Sequence, residues 1–199
     1  AKDVVLVQED RVQLPRAYYA WHGVKAFHAD EPALDALARI LAGGKSSRLY
    51  RTLVYEKQLA QDVSMGNSAS KLDGLILLAG TAKPNVNPRD IAREFDAAIK
   101  SIADTGITER ELTQVKNGVR AALLDDLSSV LGKADRLLMY NYFVGNPDYI
   151  QQDLARYERL TVADVQRVAR QYIGSKPKVI LTVVPEGKKE LALTAGGAN

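Results

Sequence analysis

"LAGGKSSRLY", residues Leu41 to Tyr50, carries the string Gly-Lys-Ser that closes the phosphate-binding loop of many nucleotide hydrolases. Such a loop needs Gly-x-x-x-x-Gly-Lys-[Ser/Thr] directly after a strand, so that backbone amides can curl round the phosphates. Counting back from Gly44 puts Arg39 where the first glycine belongs. The preceding residues are helical instead: Leu34, Leu37, Ala38 and Leu41 fall at i, i+3, i+4 and i+7, with Asp30 placed to cap the helix. A helix C-terminus carries partial negative charge and repels phosphate. The stretch therefore reads as a helix end, a turn and a helix start. Gly43 and Gly44 stop the first helix, because glycine takes the left-handed C′ conformation at little cost, and Ser46 or Ser47 caps a second helix to about Lys57.

Working outward, the apolar run Val4 to Val7 and the aromatic-rich "RAYYAWHGV" (Arg16 to Val24) precede this helical pair as strand-like segments. After it come "LAQDVSMG" and "GLILLAGTA", two strand-like runs separated by the polar "NSASKLD". The second, residues 74–82, is apolar almost throughout, as expected of a central strand buried on both faces. Asn87-Pro88 opens a helix with Ile91, Phe95, Ala98 and Ile102 on one stripe, ending before Gly106. Thr108 and Glu111 form a capping box for a long helix through Leu112, Val115, Val119 and Ala122. Helical pattern resumes from Gly132 to Phe143, breaks at "GNPDY" and runs again to Tyr157. Thr161 caps a helix that Gly174 ends, and "KVILTVV" (Lys178 to Val184) is a last strand. The order predicts a single α+β domain over residues 1–187, with helices packed on a mostly antiparallel sheet, and a flexible tail over 188–199.

Composition narrows the chemistry. The 199 residues are 46% hydrophobic and 26% charged, and the net charge of +3 is spread among interspersed acids and bases, which argues against a nucleic-acid partner. There is no cysteine, so disulfides, thiolate metal sites and a cysteine nucleophile are excluded. No apolar run approaches the roughly 20 residues that span a bilayer. The chain starts without Met and without a signal-peptide layout, which suggests a piece of a longer polypeptide whose targeting signal lies elsewhere. His22 and His28, six residues apart, do not have the i, i+4 spacing of a zinc helix and read as structural. Glu109 and Glu111 suit a helix N-terminus, and Asp125-Asp126 point in different directions on a helix. No Gly-x-Ser-x-Gly occurs, and the aromatic cluster Met139 to Tyr149 has the spacing of core packing. These residues predict no catalytic and no metal site in the chain.

"LAGGKSSRLYRTLVYEKQLAQDVS" (Leu41 to Ser64) resembles the segment after the first helix in C-terminal-type domains of the pitrilysin/insulinase family of zinc peptidases. "GTAKPNVNP", "TERELTQVKN", "GKADRLLMYNYFVGNPDY", "DLARYERLTVADVQRVARQYI" and "VVPEG" follow in the same order, so the resemblance covers about Gln13 to Gly187. It implies a metallohydrolase-like α+β domain of the insulinase/mitochondrial processing peptidase type. In that family homologous domains occur in pairs, and two pairs enclose a chamber in which peptides are cut. The zinc motif, an inverted His-x-x-Glu-His, belongs to the first domain of the active half. It is absent here, so the resemblance implies a partner domain, with zinc in an upstream domain of the parent protein.

The family's substrate-assisting domain carries an Arg and, seven positions later, a Tyr, which act as oxyanion-type donors. Val54 and Gln61 stand at those positions here, and neither can do that work; Arg48 and Tyr50 match a structural stretch instead. The expected partners are a homologous domain of the same chain, a second half or subunit, and a peptide. The expected role is to complete the peptide-binding chamber; the alternative is a scaffold domain without peptidase chemistry, like the core subunits of respiratory complexes. A periplasmic or secreted parent protein is the expected setting.

Overall fold

The computed structural model describes residues 2–193. Five strands, β1 (Val4–Asp10), β2 (Arg16–His22), β3 (Ala60–Ala69), β4 (Gly74–Ala82) and β5 (Val179–Pro185), form one sheet in the order β1-β5-β2-β4-β3. Only β1 and β5 run parallel; the other neighbours are antiparallel. Strand alternation sorts the side chains. Ala17, Tyr19 and Trp21 of β2, Ile76 and Leu78 of β4, Val63 and Met65 of β3, and Ile180 and Val184 of β5 are buried under the helices. Tyr18, Ala20, Leu77 and Leu181 point the other way and are only half-buried. The expectation that β4 is buried on both faces needs correcting, because Leu75 is 46% exposed. An antiparallel sheet can leave one face uncovered, and this sheet keeps its helices on the other.

The helices are α1 (Glu31–Ala42), α2 (Arg48–Tyr50, continued as π-helix Arg51–Glu56), α3 (Pro88–Thr105), α4 (Glu109–Asp126), α5 (Val130–Val144), α6 (Ile150–Glu158) and α7 (Val162–Val168, continued as π-helix Ala169–Gly174). The apolar face of α1 is fully engaged: Leu34, Leu37 and Leu41 are each at most 1% exposed. On α3, Ile91, Phe95 and Ile102 are fully buried, and the Phe95 ring meets Tyr19 edge-on at 5.5 Å. Asn87 caps α3 by accepting from the Arg89 amide at 3.0 Å. The capping box of α4 forms as expected, the Thr108 amide donating to Glu111 at 2.8 Å and the Glu111 amide donating to Thr108 Oγ1 at 3.2 Å. Thr161 and Asp164 build the same device at α7.

Two other caps do not form. Asp30 already has helical backbone angles (φ −86°, ψ −10°), so its carboxylate does not reach back to the first turn of α1. It instead accepts from Arg167 at 2.6 Å and from the Tyr172 hydroxyl at 2.8 Å, tying α1 to α7. At α2, Ser47 occupies the cap position, but its hydroxyl donates to the Gly44 carbonyl at 2.6 Å and closes the turn rather than the helix. The left-handed residue is Gly44 (φ +134°), whereas Gly43 keeps φ −89°. Gly43 is required for a different reason: a Cβ there would lie 2.4 Å from Arg39 Cα.

β3 is longer than its polar composition suggests. Asn67, Ser68 and Ala69 pair with Ile76, Leu75 and Gly74, so only residues 70–73 form the turn, closed by the Ser70 amide donating to Asp73 at 2.9 Å. The partner strand supplies the backbone bonds, and this overrides the low strand propensity of Asn and Ser. The C-terminal segment also departs from expectation. A 3-10 turn, Lys189–Leu191, leads to Leu193, which is 2% exposed and donates its amide to the buried Thr182 hydroxyl at 3.1 Å. Of the segment 188–199 expected to be a flexible tail, residues 188–193 carry this contact; residues 194–199 lie outside the described residues.

Candidate functional surface

The two positions singled out by family resemblance lie on either side of a strained corner. Val54 sits on the π-helical end of α2, half-buried against the core. Gln61 is exposed at the start of β3, the outer strand of the sheet, at the register shift where Ala60 and Asp62 pair with consecutive residues of β4. Between them Gln58 adopts φ +52°, a left-handed conformation uncommon for a side-chain-bearing residue. The Leu59 amide donating to the Leu53 carbonyl at 2.8 Å holds the corner. Val54 has no donor, and Gln61 presents an amide to solvent at a bulge.

Arg48 is fully committed. Its guanidinium donates to Glu111 through Nε at 2.7 Å and Nη2 at 2.9 Å, and also to the Gly106 carbonyl at 3.2 Å. Those bonds, with Thr108, hold the Glu111 carboxyl down to about 2, against the opposing effect of burial. The pair pins α2 to the start of α4. Tyr50 stacks edge-on with Tyr55 at 5.7 Å.

Behind α1 lies a partly buried polar network that the sequence did not reveal. Asp35 accepts from the Tyr157 hydroxyl at 2.6 Å and from Asn67 at 2.9 Å, joining α1, α6 and β3. Burial raises the Asp35 carboxyl in spite of both donors, and it pushes the Tyr157 phenol well above its usual range. Arg156 bridges Glu31 and Asp153, at 2.9 Å each, and donates to the His28 carbonyl at 2.7 Å. Phe27, at φ +61°, is the hub of the aromatic cluster: its ring meets Tyr140 at 6.0 Å, Phe143 at 5.9 Å and Tyr149 at 5.7 Å. The core-packing reading of that cluster holds for Tyr140, which is buried, while Tyr142 is 57% exposed.

The turn from Gly43 to Ser47 contains no phosphate cradle. Residues Leu41 to Tyr50 form a helix end, a turn and a helix start, as their spacing implies. The residues here do not fit a zinc ion either. His22 is exposed with Asp73 at 3.3 Å, and His28 Nδ1 accepts from the Asp30 amide at 3.1 Å. On α1 the buried residues are all apolar, the i, i+3, i+4 trio Leu34, Leu37 and Ala38 among them. Among the described residues no three His, Cys, Asp or Glu come together in a way that could hold a metal. Nor is any described helix long and apolar enough to cross a membrane.

Residues 1–119 match the sequence profile of the family described as "Peptidase M16 inactive domain". The zinc protease PqqE of Helicobacter pylori is 35% identical over 166 residues, which is 81% of this chain and 36% of that protein. The crystal structure of a protease from Helicobacter pylori superposes with a TM-score of 0.84 at 25% identity, covering 92% of this chain and 44% of the other. A peptidase M16 inactive domain from Pseudomonas fluorescens, at 17% identity, has the same fold with a TM-score of 0.79, over 92% of this chain and 44% of its own. The chain thus spans between a third and a half of the length of these relatives. The chain belongs to the family described as the peptidase M16 inactive domain.

Proposed function

We propose that this chain is the noncatalytic partner domain of an insulinase-like zinc metalloendopeptidase, in which it completes the wall of a peptide-holding chamber while a neighbouring domain carries the metal. The observation that carries this reading is the match of residues 1–119 to the peptidase M16 inactive domain. The first helix agrees with it, since Leu34, Leu37 and Ala38 on its inward face are buried and apolar. Zinc-activated water would then attack the peptide carbonyl elsewhere in the parent protein. With Val54 and Gln61 at the Arg/Tyr positions, the donors for the tetrahedral intermediate come from another half or subunit.

The test is metal analysis and peptide cleavage, first on this chain alone and then on the chain mixed with the remaining half of its parent. The expected result is no stoichiometric zinc and no cleavage alone, with zinc-dependent cleavage in the mixture. Cleavage by the isolated chain overturns the proposal. A parent without any His-x-x-Glu-His would leave the scaffold role instead.

A further inference from the structure

Between α1, the turn after it and α4 lies a cavity of about 250 Å³, lined by Arg39, Gly43, Ser46, Gln114 and Gly118 among others. We infer that this cavity is a binding site for a peptide carboxylate, anchored by the Arg39 guanidinium. That the carboxylate belongs to a peptide rests on the peptidase reading above; that the cavity takes a carboxylate rests on its own geometry.

The charges in and around the cavity are unevenly satisfied. Glu111, the acid in its wall, is neutralised by the two-bond pairing with Arg48. Asp35, one turn back on α1, directs its oxygens to Tyr157 and Asn67. Among the described residues this leaves Arg39 with no side-chain hydrogen bond and no carboxylate within ion-pair distance. Asp35 attracts Arg39 through charge alone, so the wall presents a guanidinium whose N–H donors are unused.

Gly118 supplies the independent observation. It lies in the interior of α4, where glycine is the least favourable residue after proline. Its backbone does not need glycine: φ is not positive, and an added Cβ would meet only Arg39 Nη1, at an ordinary 3.9 Å. Gly43 differs, since a Cβ there collides with the backbone of Arg39. The missing side chain at 118 keeps the space beside the guanidinium open. At the rim, Gln114 Nε2 donates to Ser46 Oγ at 3.0 Å, which leaves the Ser46 hydroxyl proton free to donate inward.

One planar guanidinium with one hydroxyl matches the two oxygens of a carboxylate. A phosphate dianion would call for more positive charge. The cavity is smaller than the roughly 300–1,000 Å³ typical of drug-sized ligands and has room for about one residue, either an acidic side chain or a C-terminal residue.

The test is an NMR titration of the full 199-residue chain, following the amides of Gly43, Ser46, Ser47 and Gly118. The probes are acetyl-trialanine with a free C-terminus against its amide, acetyl-Ala-Glu-Ala-amide against its Gln counterpart, and sodium phosphate. The expected result is saturable shifts from one or both carboxylate peptides and none from their neutral twins. The free-terminus probe and the Glu probe distinguish the two sources of the carboxylate. Arg39→Gln is expected to weaken binding at least about tenfold, the usual scale for a hydrogen bond to a charged group. Gly118→Ala is expected to weaken it while raising the thermal midpoint.

Equal shifts from the neutral peptides, unchanged binding in Arg39→Gln, tighter binding of phosphate than of either peptide, or no shift up to about 10 mM would each overturn the site. Failure of the two readings can be told apart. A parent protein without zinc-dependent cleavage removes the peptidase reading and leaves these titrations intact, whereas absent shifts remove the cavity and leave the peptidase reading.

Discussion

Glu111 does two jobs with one carboxylate. It closes the capping box of α4 and receives both arms of Arg48 from α2. Its carboxyl is held down to about 2 from an ordinary 4.5, so the folded state binds the proton less readily than the unfolded chain. The stabilisation is therefore fully present above about pH 4.5 and is lost as pH falls toward 2. Urea unfolding across that window is expected to show a falling midpoint whose slope is reduced in Glu111→Gln. Arg48→Met leaves the carboxylate half-buried without its main partner and is expected to lose about 1–3 kcal/mol at pH 7. A flat midpoint between pH 5 and 2.5 would show that the pair is not coupled to folding. At Gly43 the constraint is steric rather than electrostatic. Gly43→Ala puts a methyl against the Arg39 backbone and is expected to lose about 1–3 kcal/mol, read as a lower thermal midpoint.

Among the elements, the end of α4 and α5 expose the most large apolar side chains. Leu124, Val130, Leu131, Leu137 and Leu138 are all more than half exposed, and of α5 only Tyr140 is buried. Leu137→Lys and Leu138→Lys are therefore expected to change unfolding free energy by no more than about 0.5 kcal/mol. Phe95→Ala, in the packed layer of α3, is expected to cost about 3–5 kcal/mol. Calorimetry on the two classes should separate them, and similar losses in both would contradict the packing. These elements were legible to the extent that their signals are local. The stripe Ile91, Phe95, Ile102 and the capping box Thr108–Glu111 lie within a few residues of each other and form as read. Asp30 was misread because its real partner, Arg167, lies 137 residues away. Asn67 to Ala69 look like loop until β4 offers them a hydrogen-bonding edge. The same holds for the candidate sites. Val54 and Gln61 could be named from a resemblance along the chain, but the cavity beside Arg39 depends on Gly118 of another helix, and no local pattern brings those two together.

At the scale of the whole molecule, the first strand and the last are neighbours. β1 is one of the two edge strands and pairs in parallel with β5 along all seven of its residues, Val4 with Val179 through Asp10 with Pro185. Folding must therefore join the two ends of the domain, a non-local pairing that slows folding more than it adds stability. Little of β1 is packed: Val4, Leu6 and Val7 are 42–49% exposed, and Val5 alone of its valines and leucine packs against the core. A chain that starts at Val12 is thus expected to keep the sheet order β5-β2-β4-β3 and the helical layer. It should lose about 2–4 kcal/mol, equivalent to a midpoint lower by about 5–15 °C in a domain of this size. The deletion also turns β5 into an edge. Its outward face carries Val179, Leu181 and Val183, and only Pro185 at its end blocks strand addition, so the shortened chain should aggregate on heating where the longer one does not. Circular dichroism with light scattering on the two chains reads both effects. Loss of the far-ultraviolet signal at low temperature would mean that β1 is needed to form the sheet rather than to protect its edge.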